Sequence, residues 1–387
     1  MTQKVLTSLL LLLLCGSVAA EPTHKRTTTV ATRRAASEKQ NVKSAPKEPS
    51  AEETPVKGPP AKEPPANELF GAAPSPAPLA ARAIGSYARG CLAGAVALPI
   101  NGPDWQVMRL SRNRNWGHPR LLDFLERFAA DARNLDGWPG LLVGDMSQPR
   151  GGPMITGHSS HQIGLDVDIW LTPMPDRILT PEERENMVAV SMLKDPFTVD
   201  LDKWTSLHTK LIKRAASSPE VDRIFVHPAI KKVLCDQAGD NRAWLAKVRP
   251  WWNHYYFHVR VTCPPDASDC EPQKPLSGDD GCGQELANWY AMLKKAAIAG
   301  AGQPATGTPR KSSITMSKLP RECGTVLTAG GFEPPVPFNA DNLPEPVLKA
   351  LASKETGPPP PKLDPAARRA LIASSSKVSL PERNPKR

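Results

Sequence analysis

Apolar residues between residues 86 and 300 recur with two periods, and each period predicts one type of element. In 118–132 they recur every three or four positions, which predicts a helix with one apolar face. In 165–170 they alternate with Asp166 and Asp168, which predicts a strand that turns both aspartates to one face. The same patterns predict further strands at 105–110, 140–145, 221–226 and 251–261, and further helices from Thr180 and at 204–216, 228–235 and 289–299. We therefore expect an α+β fold in which helices flank a small mixed or antiparallel sheet.

The two ends of the 387-residue chain differ in composition from this central region. Residues 21–85 are mostly Lys, Ala, Pro, Glu and Thr with almost no aromatic residue, which predicts a disordered leader. Such a segment has too little apolar surface to offset the entropy cost of ordering. Residues 331–387 form a basic, Pro-rich tail. The sequence thus predicts a single folded domain over residues 86–330.

The first 20 residues have the organisation of a cleaved signal peptide. Lys4 precedes an apolar run at 9–14, and small residues occupy the positions before a cleavage site after residue 20. An alternative is acylation of Cys15 as a lipoprotein anchor, for which Leu14 is an unfavourable preceding residue. No later segment approaches the roughly 20 apolar residues of a membrane-spanning helix. We expect an exported protein without a transmembrane segment.

Net charge and cysteine content limit which binding partners and which cellular compartment the sequence is compatible with. The formal net charge of +10 would suit nucleic acid, but an export signal excludes that partner. The basic tails are expected either to stay solvated or to contact anionic cell-wall polymers. Of the seven cysteines, Cys15 would be removed with the signal peptide. The even number that remains predicts three disulfides in an oxidising compartment and leaves their pairing open.

Two short segments carry a candidate metal site. His161 and Asp168 lie on either side of Gly164, where a bend can bring the two side chains together. Asp166 shares the strand face of Asp168, and two neighbouring carboxylates repel each other unless a cation or a proton is present. His258, in the second segment, would supply a third ligand. Two imidazoles and one carboxylate form a donor set of catalytic zinc, which keeps a fourth position open for water.

The histidines of 251–261 could instead belong to an ordinary core strand. A strand there would place positions 254, 256 and 258 on one face, and two short segments hold His158, His161, His254 and His258.

The serines at 159 and 160 lack the Ser-x-x-Lys context of an acyl-enzyme nucleophile. We therefore expect metal-activated water to be the nucleophile. Beta-lactams, which acylate an active-site serine, should then have no effect.

Four blocks of the sequence resemble one known family, namely 86–92, 108–118, 158–170 and 251–263. The family is that of the penicillin-insensitive murein endopeptidases, zinc peptidases related to D-Ala-D-Ala peptidases and to the hedgehog-type metallopeptidase fold. The resemblance covers about residues 86–330 and implies a LAS-type metallopeptidase fold and a periplasmic location. It also implies hydrolysis of the D-alanyl to meso-diaminopimelyl bond that crosslinks peptidoglycan. Peptidoglycan is then the expected partner, and the sequence predicts no oligomeric state.

The resemblance implies roles for individual residues as well. The implied zinc ligands are His161, Asp168 and His258, with His158 as a further histidine at the metal. The implied disulfides join Cys91 to Cys323, Cys235 to Cys282, and Cys263 to Cys270. The second-metal ligands of some relatives could correspond to Asp166, Asp200, His208 and His227, although a structural role is the simpler expectation for each.

One position departs from the family pattern. Family members have His-x-His before Val-Arg, with the first histidine as the general base, whereas this chain has Tyr256 two positions before His258 in a segment one residue shorter. His254 is the candidate replacement base. Alternatively, Tyr256 donates a hydrogen bond to an oxyanion, or most activity is lost. The competing functions are a murein endopeptidase, a zinc D,D-carboxypeptidase and a catalytically impaired wall-binding protein.

Overall fold

The structure, a computed structural model, describes residues 63–155, 158–300, 314–333, 358 and 361–375. The predicted signal peptide at 1–20 lies outside the described residues. Within the described ranges, no helix combines the length and the apolar composition that crossing a membrane requires.

Strands and helices follow one another along the described chain. The strands are β1 Arg82–Ser86, β2 Arg89–Ala93, β3 Val96–Ala97, β4 Trp105–Val107, β5 Trp116–Gly117, β6 Leu141–Val143, β7 Asp166–Trp170, β8 Leu193–Asp195, β9 Thr198–Val199, β10 Val221–Val226, β11 Val248–Pro250 and β12 Tyr256–Val261. The α-helices are α1 Ala66–Gly71, α2 Pro119–Asp136, α3 Pro181–Asn186, α4 Ser206–Ser217, α5 Pro228–Gln237, α6 Gln284–Ala299, α7 Glu322–Thr328 and α8 Pro365–Ser375.

The largest sheet has six strands in the order β11-β10-β12-β7-β6-β4. β12 pairs antiparallel with β7 and with β10, whereas the outer pairs β10–β11 and β4–β6 are parallel. In the β12–β7 pair, His258 lies opposite Asp168 and Arg260 lies opposite Asp166. Because side chains alternate between the two faces of a strand, these four share one face. The predicted α+β fold with a small mixed sheet is confirmed, and this sheet carries a polar cluster at its centre.

The opposite face of β7 and β12 belongs to the main hydrophobic core. Val167 and Ile169 of β7, and Phe257 and Val259 of β12, are fully buried. They belong to one cluster with apolar residues of α2 and α4. Burial of a large apolar side chain contributes about 1.5–3 kcal/mol. The core therefore fixes the orientation of both strands and with it the face on which the polar residues lie.

Helix boundaries follow capping signals that are visible in the sequence. α2 begins after His118, whose Nδ1 accepts a hydrogen bond from the backbone N–H of Arg120, and it ends at Gly137 in a left-handed conformation with φ 76°. α3 begins after Thr180, which forms a capping box with Glu183. The starts of both helices agree with the predicted ones.

The folded region begins upstream of residue 86. α1 and most of β1 lie in the segment whose composition predicts a disordered leader. Phe70 of α1 is fully buried and packs in a second core with Cys91, Val326 and Leu327. Part of this core comes from the far end of the domain. Local composition therefore does not reveal that residues 66–71 have a surface to pack against.

The region beyond residue 330 also contains a described element. α8 lies within the segment predicted as a Pro-rich tail. Its Arg368 side chain donates hydrogen bonds to the backbone carbonyl of Ile298 near the end of α6. At least this part of the tail is therefore helical and contacts the domain.

Three disulfides join cysteines of the described residues, Cys91–Cys323, Cys235–Cys282 and Cys263–Cys270. They are the same pairs that the family resemblance implies. Cys91–Cys323 joins β2 to α7 across a sequence separation of 232 residues. A disulfide that closes a longer loop removes more chain entropy from the unfolded state, so this bond is expected to stabilise the fold most.

Candidate metal centre

A tight loop places His161 at the polar face of the sheet. His161 has a left-handed backbone with φ 67°, and its N–H donates to Asp166 Oδ2 at 2.9 Å. Such a conformation costs a non-glycine residue on the order of 1–3 kcal/mol and is frequent at functional sites. At Gly164, with φ 71°, a Cβ atom would lie 2.8 Å from the backbone nitrogen of His118. The loop therefore requires glycine at this position.

Three side-chain atoms converge at the centre of the sheet. His161 Nε2 lies 3.2 Å from His258 Nδ1 and 3.5 Å from Asp168 Oδ1. His258 Nδ1 lies 3.0 Å from the same Asp168 oxygen. All three residues are buried. The structure thus brings together one residue from the loop, one from β7 and one from β12, the three that the sequence nominates as ligands.

This donor set fits zinc. Bonds of about 2.0–2.1 Å in a tetrahedral arrangement separate neighbouring ligand atoms by about 3.4 Å, close to the distances within the triangle. Asp168 Oδ1 is fully buried, and the nearby His161 Nε2 and His258 Nδ1 do not meet it in hydrogen-bond geometry. A buried carboxylate oxygen without a partner is costly, and a divalent cation would satisfy it. His158 Nδ1, 3.6 Å from Asp168 Oδ2, offers a further nitrogen beside the same group.

Asp145 orients His158 toward the cluster. Its Oδ2 lies 2.9 Å from His158 Nε2 and also accepts hydrogen bonds from Arg112 and Arg114. Burial alone would raise the pKa of Asp145, but the two guanidinium groups hold that pKa well below its usual range. The ionised carboxylate favours a proton on Nε2 of His158. Its Nδ1 then presents a lone pair on the side of Asp168.

Asp166 holds His258 in a similar way. Its Oδ1 lies 3.0 Å from His258 Nε2, and Arg260 donates to both of its oxygens, at 2.8 and 3.2 Å. The Arg260 guanidinium lies 4.1 Å from the centroid of the Tyr87 ring, which it covers. Burial would lower the pKa of His258, but the carboxylates of Asp166 and Asp168 raise it to about 9. Asp166 therefore fixes the ring with Nδ1 toward Asp168.

An open cleft of about 270 Å³ borders the cluster. His158, His258 and Tyr256 line it together with Trp251 and Gln273. A concave site that combines aromatic walls with a few convergent polar groups is typical of ligand binding. A substrate in this cleft would contact His258, one of the three candidate ligands, and His158 beside them.

The structure does not bring His254 to the cluster. β12 begins at Tyr256, so the alternation that would place His254 beside His258 does not extend to it. His254 is buried, its Nδ1 lies 3.0 Å from Ser191 Oγ, and its ring centroid lies 6.5 Å from that of His227. Burial lowers the pKa of His254 to about 4. Tyr256, the other residue considered for a catalytic role, lines the same cleft as His258.

Four residues were considered as ligands of a second metal. Asp166 lies at the cluster, and the other three make contacts elsewhere. His208 Nε2 lies 3.0 Å from the backbone oxygen of Leu171. His227 caps α5 by accepting a hydrogen bond from Ala229 N–H, and Asp200 forms an ion pair with Lys203. His208 and His227 are thus buried structural residues, and Asp200 stabilises a turn.

Sequence reasoning does not find the side chains that support the ligands. Asp145, Arg112 and Arg114 occupy positions that no spacing rule connects to His158, and the contact of Arg260 with Asp166 joins two strands far apart in the chain. Two weak signals exist. Asp145 closely follows a short buried strand, and Arg260 alternates with His258 on one face of β12.

Comparison with known proteins places the chain in a family. A model of the family described as penicillin-insensitive murein endopeptidase matches residues 83–328, more than half of the chain. The chain is 49% identical over 214 residues to the penicillin-insensitive murein endopeptidase of Haemophilus influenzae, covering 54% of this chain and 74% of that protein. It is 42% and 41% identical over 254 residues to the proteins of the same name from Shigella sonnei and Escherichia coli, covering 65% of this chain and 88% of each relative. The chain belongs to the penicillin-insensitive murein endopeptidase family.

Proposed function

We propose that this protein is a zinc-dependent peptidoglycan endopeptidase that hydrolyses D-alanyl to meso-diaminopimelyl crosslinks. The observation that carries the proposal is the triangle of His161, Asp168 and His258 beside an open cleft. The names of the relatives support murein as the substrate. A LAS-type metallopeptidase fold, a cleaved signal peptide at 1–20 and a periplasmic location belong to the same proposal.

Each residue of the site has a part in this chemistry. His161, Asp168 and His258 would hold zinc, which supplies an activated water and polarises the scissile carbonyl. Asp145 and Asp166 keep one nitrogen of His158 and one of His258 turned toward Asp168. The serines at 159 and 160 line the cleft without a Ser-x-x-Lys context, which supports insensitivity to beta-lactams.

Tyr256 is our candidate for the hydrogen-bond donor to the oxyanion. It lies two positions before His258 on β12, so both side chains extend from the same face into the cleft. A phenol hydroxyl can donate to negative charge that develops on a carbonyl oxygen. His254 as the general base is the competing assignment, and its contact with Ser191 favours a structural role instead.

The test of the proposed function uses the purified mature protein and crosslinked muropeptide dimers. We expect release of monomers, loss of this activity in a chelator, and its return when zinc is added. Penicillin should not change the rate. Release of free D-alanine without monomers would instead indicate a D,D-carboxypeptidase, and binding without any product would indicate a wall-binding protein.

Two variants distinguish the candidate catalytic groups. Tyr256→Phe is expected to lower kcat about 100-fold with an unchanged zinc content, because one oxyanion donor is lost while every ligand is kept. His254→Gln should retain most of the turnover, since His254 contacts Ser191 rather than the cluster. The measurement is kcat on muropeptide dimers beside metal analysis of each variant. If kcat falls in the His254 variant at full zinc content and is unchanged in the Tyr256 variant, His254 is the base and Tyr256 has no part in the mechanism.

A further inference from the structure

Three tryptophans gather at the rim of the cleft. Trp251 lines the cleft wall, yet 46% of its surface is exposed. The ring of Trp289, on α6, has its centroid 5.7 Å from that of Trp251 and 5.5 Å from that of Trp252. The interplanar angles of 67° and 74° describe edge-to-face packing, which the aromatic quadrupole favours. Phe225 also packs edge to face with Trp251, with 6.2 Å between the ring centroids. Trp251 is therefore held in a fixed orientation while part of its ring faces solvent.

The exposure of Trp251 contrasts with other tryptophans of the chain. Trp138, Trp170 and Trp204 are buried in the core. A large exposed aromatic surface that continues into a polar cleft is typical of a binding site. Asn253 and Gln273 line the cleft beside Trp251 and add side-chain amides, which can both donate and accept hydrogen bonds.

This combination suits a sugar ring. One face of a pyranose consists mainly of C–H groups that stack on an indole, while its hydroxyl and N-acetyl groups hydrogen-bond to amides. The tryptophan cluster, Phe225 and Asn253 carry no charge, so this part of the wall offers no ion-pair partner to the amino and carboxyl groups of a peptide stem. His158, His258 and the charged Arg260 line the same cleft.

We propose that Trp251, supported by Trp252 and Trp289, is a stacking platform for a sugar of the glycan strand, and that the enzyme prefers crosslinks whose peptides are still attached to glycan. The proposal rests on the proposed function, because it names the form of peptidoglycan that the cleft accepts. It adds a specificity determinant outside the ligand cluster and its supporting carboxylates.

The first experiment compares two substrates. One is a muropeptide dimer that carries its disaccharides, and the other is the same peptide dimer after removal of the sugars. Trp251→Ala should lower kcat/KM about tenfold more on the sugar-bearing dimer than on the sugar-free dimer, whereas Trp251→Phe should restore part of this difference. Leu135→Ala, which shortens an exposed apolar side chain on α2 that does not line the cleft, is the matched control and should change neither rate. An equal loss on both substrates, or no loss on either, would overturn the proposal.

The second experiment measures binding of the mature protein to glycan strands stripped of peptide. The wild-type protein should bind, and Trp251→Ala should bind about tenfold more weakly at the same zinc content and the same melting temperature. Equal binding by the two proteins, or no binding by the wild type, would also overturn the proposal. Because this arm needs no turnover, it separates a failure of the platform from a failure of the endopeptidase. If the wild type cleaves neither dimer but binds glycan through Trp251, the stacking platform stands, whereas the endopeptidase assignment and the preference among crosslinks fail.

Discussion

Replacement of His161 by alanine is expected to remove zinc and to lower kcat/KM on crosslinked muropeptide dimers by at least about 10⁴-fold. Activation of water and polarisation of the carbonyl are each worth several kcal/mol, and about 1.4 kcal/mol corresponds to a factor of ten in rate. His161 is fully buried, and its Nε2 lies within 3.5 Å of both other candidate ligand atoms, so the variant loses one of three converging donors. Metal analysis and steady-state kinetics on the same preparation measure both effects.

The matched control for this variant is His118→Asn. It removes another histidine but keeps a side chain that caps a helix well, so α2 should retain its start. This variant should bind zinc and turn over as the wild type does. A His161→Ala protein that keeps stoichiometric zinc and full activity would refute the ligand set, and with it the proposed function.

Replacement of Asp166 by asparagine is expected to have the largest effect on stability. The Asp166 carboxylate is fully buried, accepts from Arg260 and His258, and also accepts the backbone N–H of His161. The amide would leave the Arg260 guanidinium buried without its counter-charge, a change that typically costs about 3–5 kcal/mol. For a domain of this size the melting temperature should fall by about 10 °C. Zinc affinity should fall about 10- to 100-fold, since Asp166 orients a ligand.

Thermal unfolding with and without a chelator tests this explanation. The loss of stability should persist in the chelator, because the Arg260 pair exists whether or not a metal is bound. Asp236→Asn on α5 is the control. Its carboxylate is exposed and pairs with the exposed Lys232, so the expected change is below about 1 kcal/mol. A destabilisation of Asp166→Asn that disappears in the chelator would show that only metal binding had been lost.

Some features follow from neighbouring residues alone. The period of apolar residues predicts α2 and α4, and the Thr180 to Glu183 pattern predicts the start of α3. Alternation in 165–170 correctly predicts that Asp166 and Asp168 share one face while Val167 faces the core. These properties depend on contacts between residues a few positions apart, whose geometry the helix or strand itself fixes.

Other features depend on where chain segments meet. The sequence predicts one strand over 251–261, but the strand begins at Tyr256, and His254 turns to Ser191 instead of the cluster. The periodicity of a strand holds only while its backbone stays paired with a neighbour, and the register with β7 starts at Tyr256 opposite Trp170. No local pattern shows where that pairing starts.

The sequence by itself determined α2, α3, α4 and β7 and the face on which Asp166 and Asp168 lie. Through a family resemblance it also supplied the candidate ligands and the cysteine pairs. The tertiary structure alone decided that α1 is folded, that Asp145 and Asp166 support the histidines, and that Trp251 stands at the cleft rim. The physical reason is the separation along the chain over which each kind of interaction acts. Periodicity and capping act within a few residues, whereas burial, ion pairing and cleft formation join side chains far apart in the chain, such as Asp166 and Arg260.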